Sequence, residues 1–222
     1  SFKQAAQDAI NAPDAYRSSD HDPVLIGLEL DPPFPGASVL DNFNRPGSAL
    51  GPNWRGSTSA YKIVGNQQVD VRNNGPIYWR NAFGVNQEVF VTLTDVDEDA
   101  LEQNLLLKVQ GSVLPNWGAG VIEVLYDANS NTVTVWTFRP DTLAWYGYSP
   151  IPVTFADGDQ FGARALSNGL VLIYKNGVEV GAITLNTGDQ AFFNPKGGRI
   201  GLWFINAKDA YFDDFGGGNI VP

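Results

Sequence analysis

From residue 39 onward the chain is a succession of short alternating segments separated by turn signals, and that pattern leaves few architectures open. The segments fall at 61–64, 68–71, 77–80, 88–96, 105–110, 120–126 and 132–139, and again at 144–148, 161–166, 170–175, 178–185, 199–205 and 210–215. A period of two sends successive side chains to opposite faces, so each segment is expected to form a strand that buries one face. Asn168-Gly169 and Asn176-Gly177 are two-residue turns whose left-handed backbone suits the twist of a hairpin. More than a dozen strands about ten residues apart, with no amphipathic helix among them, predict an all-β chain. The expected fold is an antiparallel two-sheet β-sandwich.

The first residues break this pattern. Phe2, Ala5, Ala6, Ala9 and Ile10 share one face of a short N-terminal helix that Pro13 ends. A polar Ser-Ser-Asp-His-Asp run stops at Pro23, and Val24, Leu25, Ile26, Leu28 and Leu30 follow as an extra, almost wholly apolar strand. Asp31-Pro-Pro-Phe-Pro-Gly36 reads as a stiff linker. The expected division is a helix plus strand over 1–30, a Pro-rich linker over 31–37 and a sandwich over 38–218.

Ser19-Asp20-His21-Asp22-Pro23-Val24 resembles the closing motif of the endonuclease/exonuclease/phosphatase superfamily, the group built like DNase I. The resemblance implies that His21 is the catalytic histidine beside a scissile phosphate and Asp20 the carboxylate that accompanies it. That chemistry also needs a second histidine, an early metal-binding Glu and an Asn-containing phosphate loop, and His21 is the only histidine in the chain. Residues 1–30 therefore read as the tail of such a domain, with Asp20 and His21 vestigial and the chain by itself no enzyme. Met is absent, position 1 included, which points to a chain cut from a longer precursor. A strand without its parent sheet leaves backbone N–H and C=O groups unpaired. Val24, Leu25, Ile26, Leu28 and Leu30 are expected either to join the downstream sandwich or to enter another copy of the molecule, and head-to-tail donation would build a filament.

Val39-Leu-Asp-Asn-Phe-Asn-Arg45 with Leu50-Gly-Pro-Asn-Trp54, and Arg199-Ile-Gly-Leu-Trp-Phe204 with Tyr211-Phe-Asp-Asp-Phe-Gly216, resemble the first and last strands of bacterial concanavalin A-like, laminin G-type jelly-roll domains. The resemblance spans residues 39–218. It implies that first and last strands pair, which would gather Asp41, Asp213 and Asp214. Carboxylates buried together need a cation, and Ca2+ suits an all-oxygen site. The alternative sends Asp213 and Asp214 to opposite faces of their strand. Asp95, Asp97, Glu98, Asp99 and Glu102 form an acidic hairpin that reads as a solvated turn, because it lacks the glycine of an EF-hand loop.

Trp117, Trp145, Tyr146 and Tyr148 fall in or near loops, where exposed rings can stack on sugars. Trp79, Trp136 and Trp203 lie within strands and are expected in the core. Glu88, Glu102, Glu123 and Glu179 do not make the E-x-D-x-x-E run of catalytic jelly rolls. A net charge of −10 repels phosphate backbones and disfavours nucleic acid as a partner. Cys is absent, so thiolate metal sites and disulfides are excluded, and no apolar run reaches the roughly 18 residues of a membrane span. The reading is a secreted, extracellular, non-catalytic attachment module from the C-terminal part of a larger nuclease-like protein. Its partner would be an extracellular glycan or cell-surface matrix. Two alternatives remain: a filament subunit whose partners are copies of itself, and part of a metal-dependent nuclease or phosphatase that needs an upstream domain.

Overall fold

The computed structural model describes residues 33–111 and 115–220. The expected N-terminal helix, the strand from Val24 to Leu30, and Asp20 with His21 lie outside the described residues. Sixteen strands and one α-helix follow in order: β1 (Val39–Asp41), β2 (Trp54–Gly56), β3 (Tyr61–Val64), β4 (Gln68–Val71), β5 (Gly75–Trp79), β6 (Gln87–Asp95), β7 (Glu102–Val109), β8 (Val121–Asp127), β9 (Thr132–Arg139), β10 (Ala144–Gly147), β11 (Ile151–Pro152), β12 (Gln160–Ala165), β13 (Leu170–Lys175), β14 (Val178–Thr184), α1 (Thr187–Phe193), β15 (Arg199–Ile205) and β16 (Tyr211–Asn219).

The strands build two eight-stranded antiparallel sheets. The first runs β14-β13-β12-β6-β16-β4-β3 with β1 beside β16; the second runs β10-β9-β8-β7-β15-β5-β2 with β11 beside β9. The expected sandwich is what forms, and its first and last strands pair, Val39 opposite Gly216 and Asp41 opposite Phe215. Asn176 and Gly177 both take left-handed φ, 50° and 80°, and close the β13–β14 hairpin. The helix is a departure from the sequence reading. Asn186 caps α1 by accepting from the Asp189 backbone N–H, while Gly188 lowers the local helix propensity that would have announced it.

The core lies between the sheets. Val89, Val91 and Leu93 of β6, with Phe161 and Ala163 of β12 and Ile173 of β13, meet Leu105 and Leu107 of β7, Ile122 and Val124 of β8, Val133 and Val135 of β9, and Leu202 and Phe204 of β15. These are the alternate positions that period two assigns to one face.

Both outer faces also carry apolar patches, and the first sheet's is covered by the chain itself. Phe34 stacks on Tyr174 with ring centroids 4.1 Å apart and meets Phe90 edge-on. Gly162 makes room for it, since an added Cβ would stand 2.1 Å from the Phe34 ring. The Pro33 carbonyl accepts from Arg164 Nη2 at 2.8 Å, and the Ala37 N–H donates to Glu88. From Pro33 on, the Pro-rich segment read as a linker is therefore a strap bound to the sandwich. Among the described residues no helix is long and apolar enough to cross a membrane.

Candidate functional site

No described segment covers the second sheet's outer patch. On β8, Ile122, Val124 and Tyr126 face the core, so Glu123 and Leu125 face outward. Trp136 on β9 lies opposite Glu123, and Trp203 on β15 lies opposite Asn104 of β7. Trp145 on β10 lies opposite Phe138, another outward residue of β9. Together Glu102, Glu123, Leu125, Trp136, Trp145, Trp203 and Ile205 line a cleft of about 340 Å³. Trp117, in a short 3-10 turn, extends the aromatic wall: its ring centroid is 5.7 Å from those of both Trp145 and Trp203. Gly147 lies opposite Trp136, and an added Cβ would stand 2.7 Å from the indole. Gly147→Ala is expected to push that ring into the cleft, shifting the tryptophan emission maximum while leaving the far-UV circular dichroism of the sandwich intact.

The polar floor is a Glu–Asn–Glu group. Asn104 Nδ2 donates to Glu123 Oε1 at 2.7 Å and to Glu102 Oε2 at 3.3 Å, so those oxygens stand no more than 6.0 Å apart. Glu123 is only 5% exposed. Burial pushes its carboxyl up to about 8, Glu102 adds to the rise, and the Asn104 bond opposes it. Burial also raises Glu102, again against its bond from Asn104. Tyr78 is pushed up to about 12 by burial, with a backbone bond at Trp117 opposing and Glu123 adding. Near neutral pH Glu123 therefore stands as a protonated acid that can donate a hydrogen bond, with a second carboxyl beside it.

Of the loop aromatics, Trp117 and Trp145 come together at this cleft, whereas Tyr146 and Tyr148 do not line it. The Tyr148 hydroxyl donates to buried Asp189 at 2.6 Å and accepts from the Asn186 N–H at 2.9 Å; Asp189 also takes Thr137 and the Arg139 guanidinium. Tyr146 is exposed and packs edge-on against Tyr148. Trp79 is in the core as expected, 6% exposed and edge-on to Trp54. Trp136 and Trp203 are not. Each sits between core-facing neighbours, Val135 and Thr137 in one case and Leu202 and Phe204 in the other, so the pleat turns both indoles outward.

The three carboxylates proposed for calcium share a corner, but Asp41 already has a cation. Arg45 binds it with two nitrogens at 2.6 and 3.0 Å, and Trp54 Nε1 donates to it at 2.8 Å. Burial raises the Asp213 carboxyl, with Asp214 and Asp41 adding, while the Asp214 N–H bonds to it. Among the described residues no group of three His, Cys, Asp or Glu side chains is placed to hold a metal ion. In the acidic hairpin, Asp97 accepts from the backbone N–H of Asp99 and of Asp209.

No family model matches the chain, and no curated protein matches it in sequence. Solved structures match it in fold. A protein of unknown function with a galectin-like fold from Bacillus subtilis aligns over 86% of this chain and 98% of its own, with a TM-score of 0.58 and 13% identity. The carbohydrate recognition domain of Emp46p, in a potassium-bound form, aligns over 83% and 97% at 0.53 and 9% identity. A mutant of SCLam, a non-specific endo-β-1,3(4)-glucanase of family GH16, co-crystallised with 1,3-β-D-cellobiosyl-cellobiose, aligns over 84% and 96% at 0.52 and 14% identity. What these likenesses establish is the jelly-roll sandwich.

Proposed function

We propose that this chain is a glycan-binding module whose ligand lies in the indole-lined cleft of the second sheet. It would serve as a secreted, non-catalytic attachment module of a larger extracellular, nuclease-like protein. The observation that carries the reading is the cleft itself: Trp136, Trp145 and Trp203 surround two carboxyls on an open face. Pyranose rings present flat C–H faces that pack on indoles and hydroxyls that need partners, which Glu102, Glu123 and Asn104 supply. The naming of similar folds as a carbohydrate recognition domain and a glucanase supports the same direction.

The test is calorimetric titration with neutral oligosaccharides. Trp203→Ala is expected to weaken binding at least about tenfold, because a lost ring face is worth on the order of 1.4 kcal/mol. Affinity undiminished in both Trp203→Ala and Trp145→Ala, or no binding by any glycan, would overturn the reading. One observation favours a second reading. The approach of Glu102 and Glu123 is compatible with the roughly 5–5.5 Å spacing of retaining glycosidases, and a protonated Glu123 suits an acid. Mass spectrometry of recovered ligand separates the two: intact oligosaccharide is expected, and cleavage abolished by Glu123→Gln would make the chain a hydrolase.

A further inference from the structure

Six carboxylates are buried among the described residues: Asp41, Asp70, Glu88, Asp97, Glu123 and Asp189. Four have an arginine, respectively Arg45, Arg72, Arg164 and Arg139 for Asp41, Asp70, Glu88 and Asp189. Asp97 has two backbone N–H donors. Glu123 stands apart, with one neutral amide from Asn104 and a second carboxyl close by. Among the described residues, no Lys, Arg or His lines the cleft onto which it opens. A buried acid that lacks a counter-charge is costly to ionise, and the fold supplies guanidinium to its counterparts elsewhere. Around this one it supplies indole faces, whose negative quadrupoles attract cations.

We infer that the cleft takes an amine-bearing glycan, with a primary ammonium on the sugar ring set between Glu102 and Glu123 and the ring face against the indoles. The inference rests on the glycan reading above and names its chemistry. The shape favours a sugar over a bare cation. Trp117, Trp145 and Trp203 pack against one another, with centroids 5.7 to 6.4 Å apart, as an aromatic wall broader than a bare cation would need. A volume of about 340 Å³ falls in the range of small-molecule clefts.

Ligand binding is then linked to a proton. The ammonium arrives charged, Glu123 gives its proton to solvent, and a carboxylate–ammonium pair remains. The titratable groups facing Glu123 are Glu102 from β7 and Tyr78 from β5. β9, β10 and β15 present only indoles and apolar side chains to the cleft. Tyr78, pushed up to about 12, stays neutral wherever the amine is charged, whereas Glu123 and Glu102 favour the cation once ionised, so affinity rises with pH as long as the amine keeps its charge.

The test is isothermal titration of the intact chain with oligomers of glucosamine, N-acetylglucosamine and glucose, and with a lysine-rich peptide. Glucosamine oligomers are expected to bind at least about tenfold more tightly than either neutral oligomer. They should bind more tightly at pH 6.5 than at pH 5, a range in which the sugar amine stays largely charged, with a buffer-dependent heat that reports proton release. Glu123→Gln, checked for an unchanged fold by circular dichroism, should erase the preference and the proton release, bringing the glucosamine oligomers to the affinity of the neutral ones. Equal affinity for all three oligomers would overturn the inference and leave the glycan reading standing. Binding of the peptide alone, or of nothing, would overturn both.

Discussion

Arg164→Met is expected to cost about 3–5 kcal/mol of folding free energy, measured by denaturant unfolding, which is a large share of a domain's stability. Arg164 and Glu88 lie directly opposite each other on β12 and β6, 2% and 0% exposed at the side chain, with Nε 2.9 Å from Oε2. Removing the guanidinium leaves Glu88 charged in a dry layer. It also removes the bond to the Pro33 carbonyl and the cation set 5.3 Å from the ring centres of both Phe34 and Tyr174. The strap that covers the first sheet loses its anchor in the same step. The double variant Arg164→Met with Glu88→Leu should recover much of the loss, because it removes the stranded charge along with its partner. A single variant within about 1 kcal/mol of the parent would show that water reaches Glu88 and that the strap does not seal it. Since this layer faces away from the second sheet, glycan affinity below the melting transition should not change.

The sandwich was legible because period two recurs from residue 39 on and the Asn-Gly turns fix two hairpins. The face of each strand was not. Alternation identifies an inner face by contrast with a polar outer one, and here Leu106, Val121 and Phe138 make the outer face apolar too. Trp203 sits in Ile-Gly-Leu-Trp-Phe-Ile, where nothing distinguishes its side from that of Leu202. The Arg164–Glu88 pair spans 76 positions and depends on β12–β6 register, which a single sequence does not state. Two signals were present and pass unused when motifs alone are sought. Arg45 stands four residues from Asp41, within reach to neutralise it. Glu123 is the lone charge in Val-Ile-Glu-Val-Leu, and an ionisable residue in the middle of an apolar strand marks either a pair or a site.

That lone charge sets the second large effect, on the pH dependence of stability. Glu123 has a folded-state value of about 8 against an ordinary 4.5. Below 4.5 it is neutral whether the chain is folded or not, and folding is indifferent to it. As pH rises toward 8 the unfolded chain releases this proton while the folded chain keeps it, so the folded state binds more protons and stability falls. The loss levels off above about 8, where both states are ionised, at a size on the order of 4 kcal/mol. Glu123→Gln is expected to match the parent near pH 4.5, to exceed it by about that amount at pH 8, and to unfold with a flatter pH profile between. Lys108, buried and lowered to about 8, is present in both proteins and cancels in the comparison. Urea melts of the two proteins at pH 4.5, 6 and 8 measure the effect, and parallel profiles would mean that Glu123 carries no buried proton. A residue that weakens the fold at neutral pH, inside an aromatic cleft, behaves as site residues do when binding rather than stability has selected them. An amine-bearing oligosaccharide that restores the missing charge should then raise the melting temperature of the parent at pH 6.5, where the amine is still largely charged, more than that of the Gln variant, tying the stability deficit and the proposed ligand to the same carboxyl.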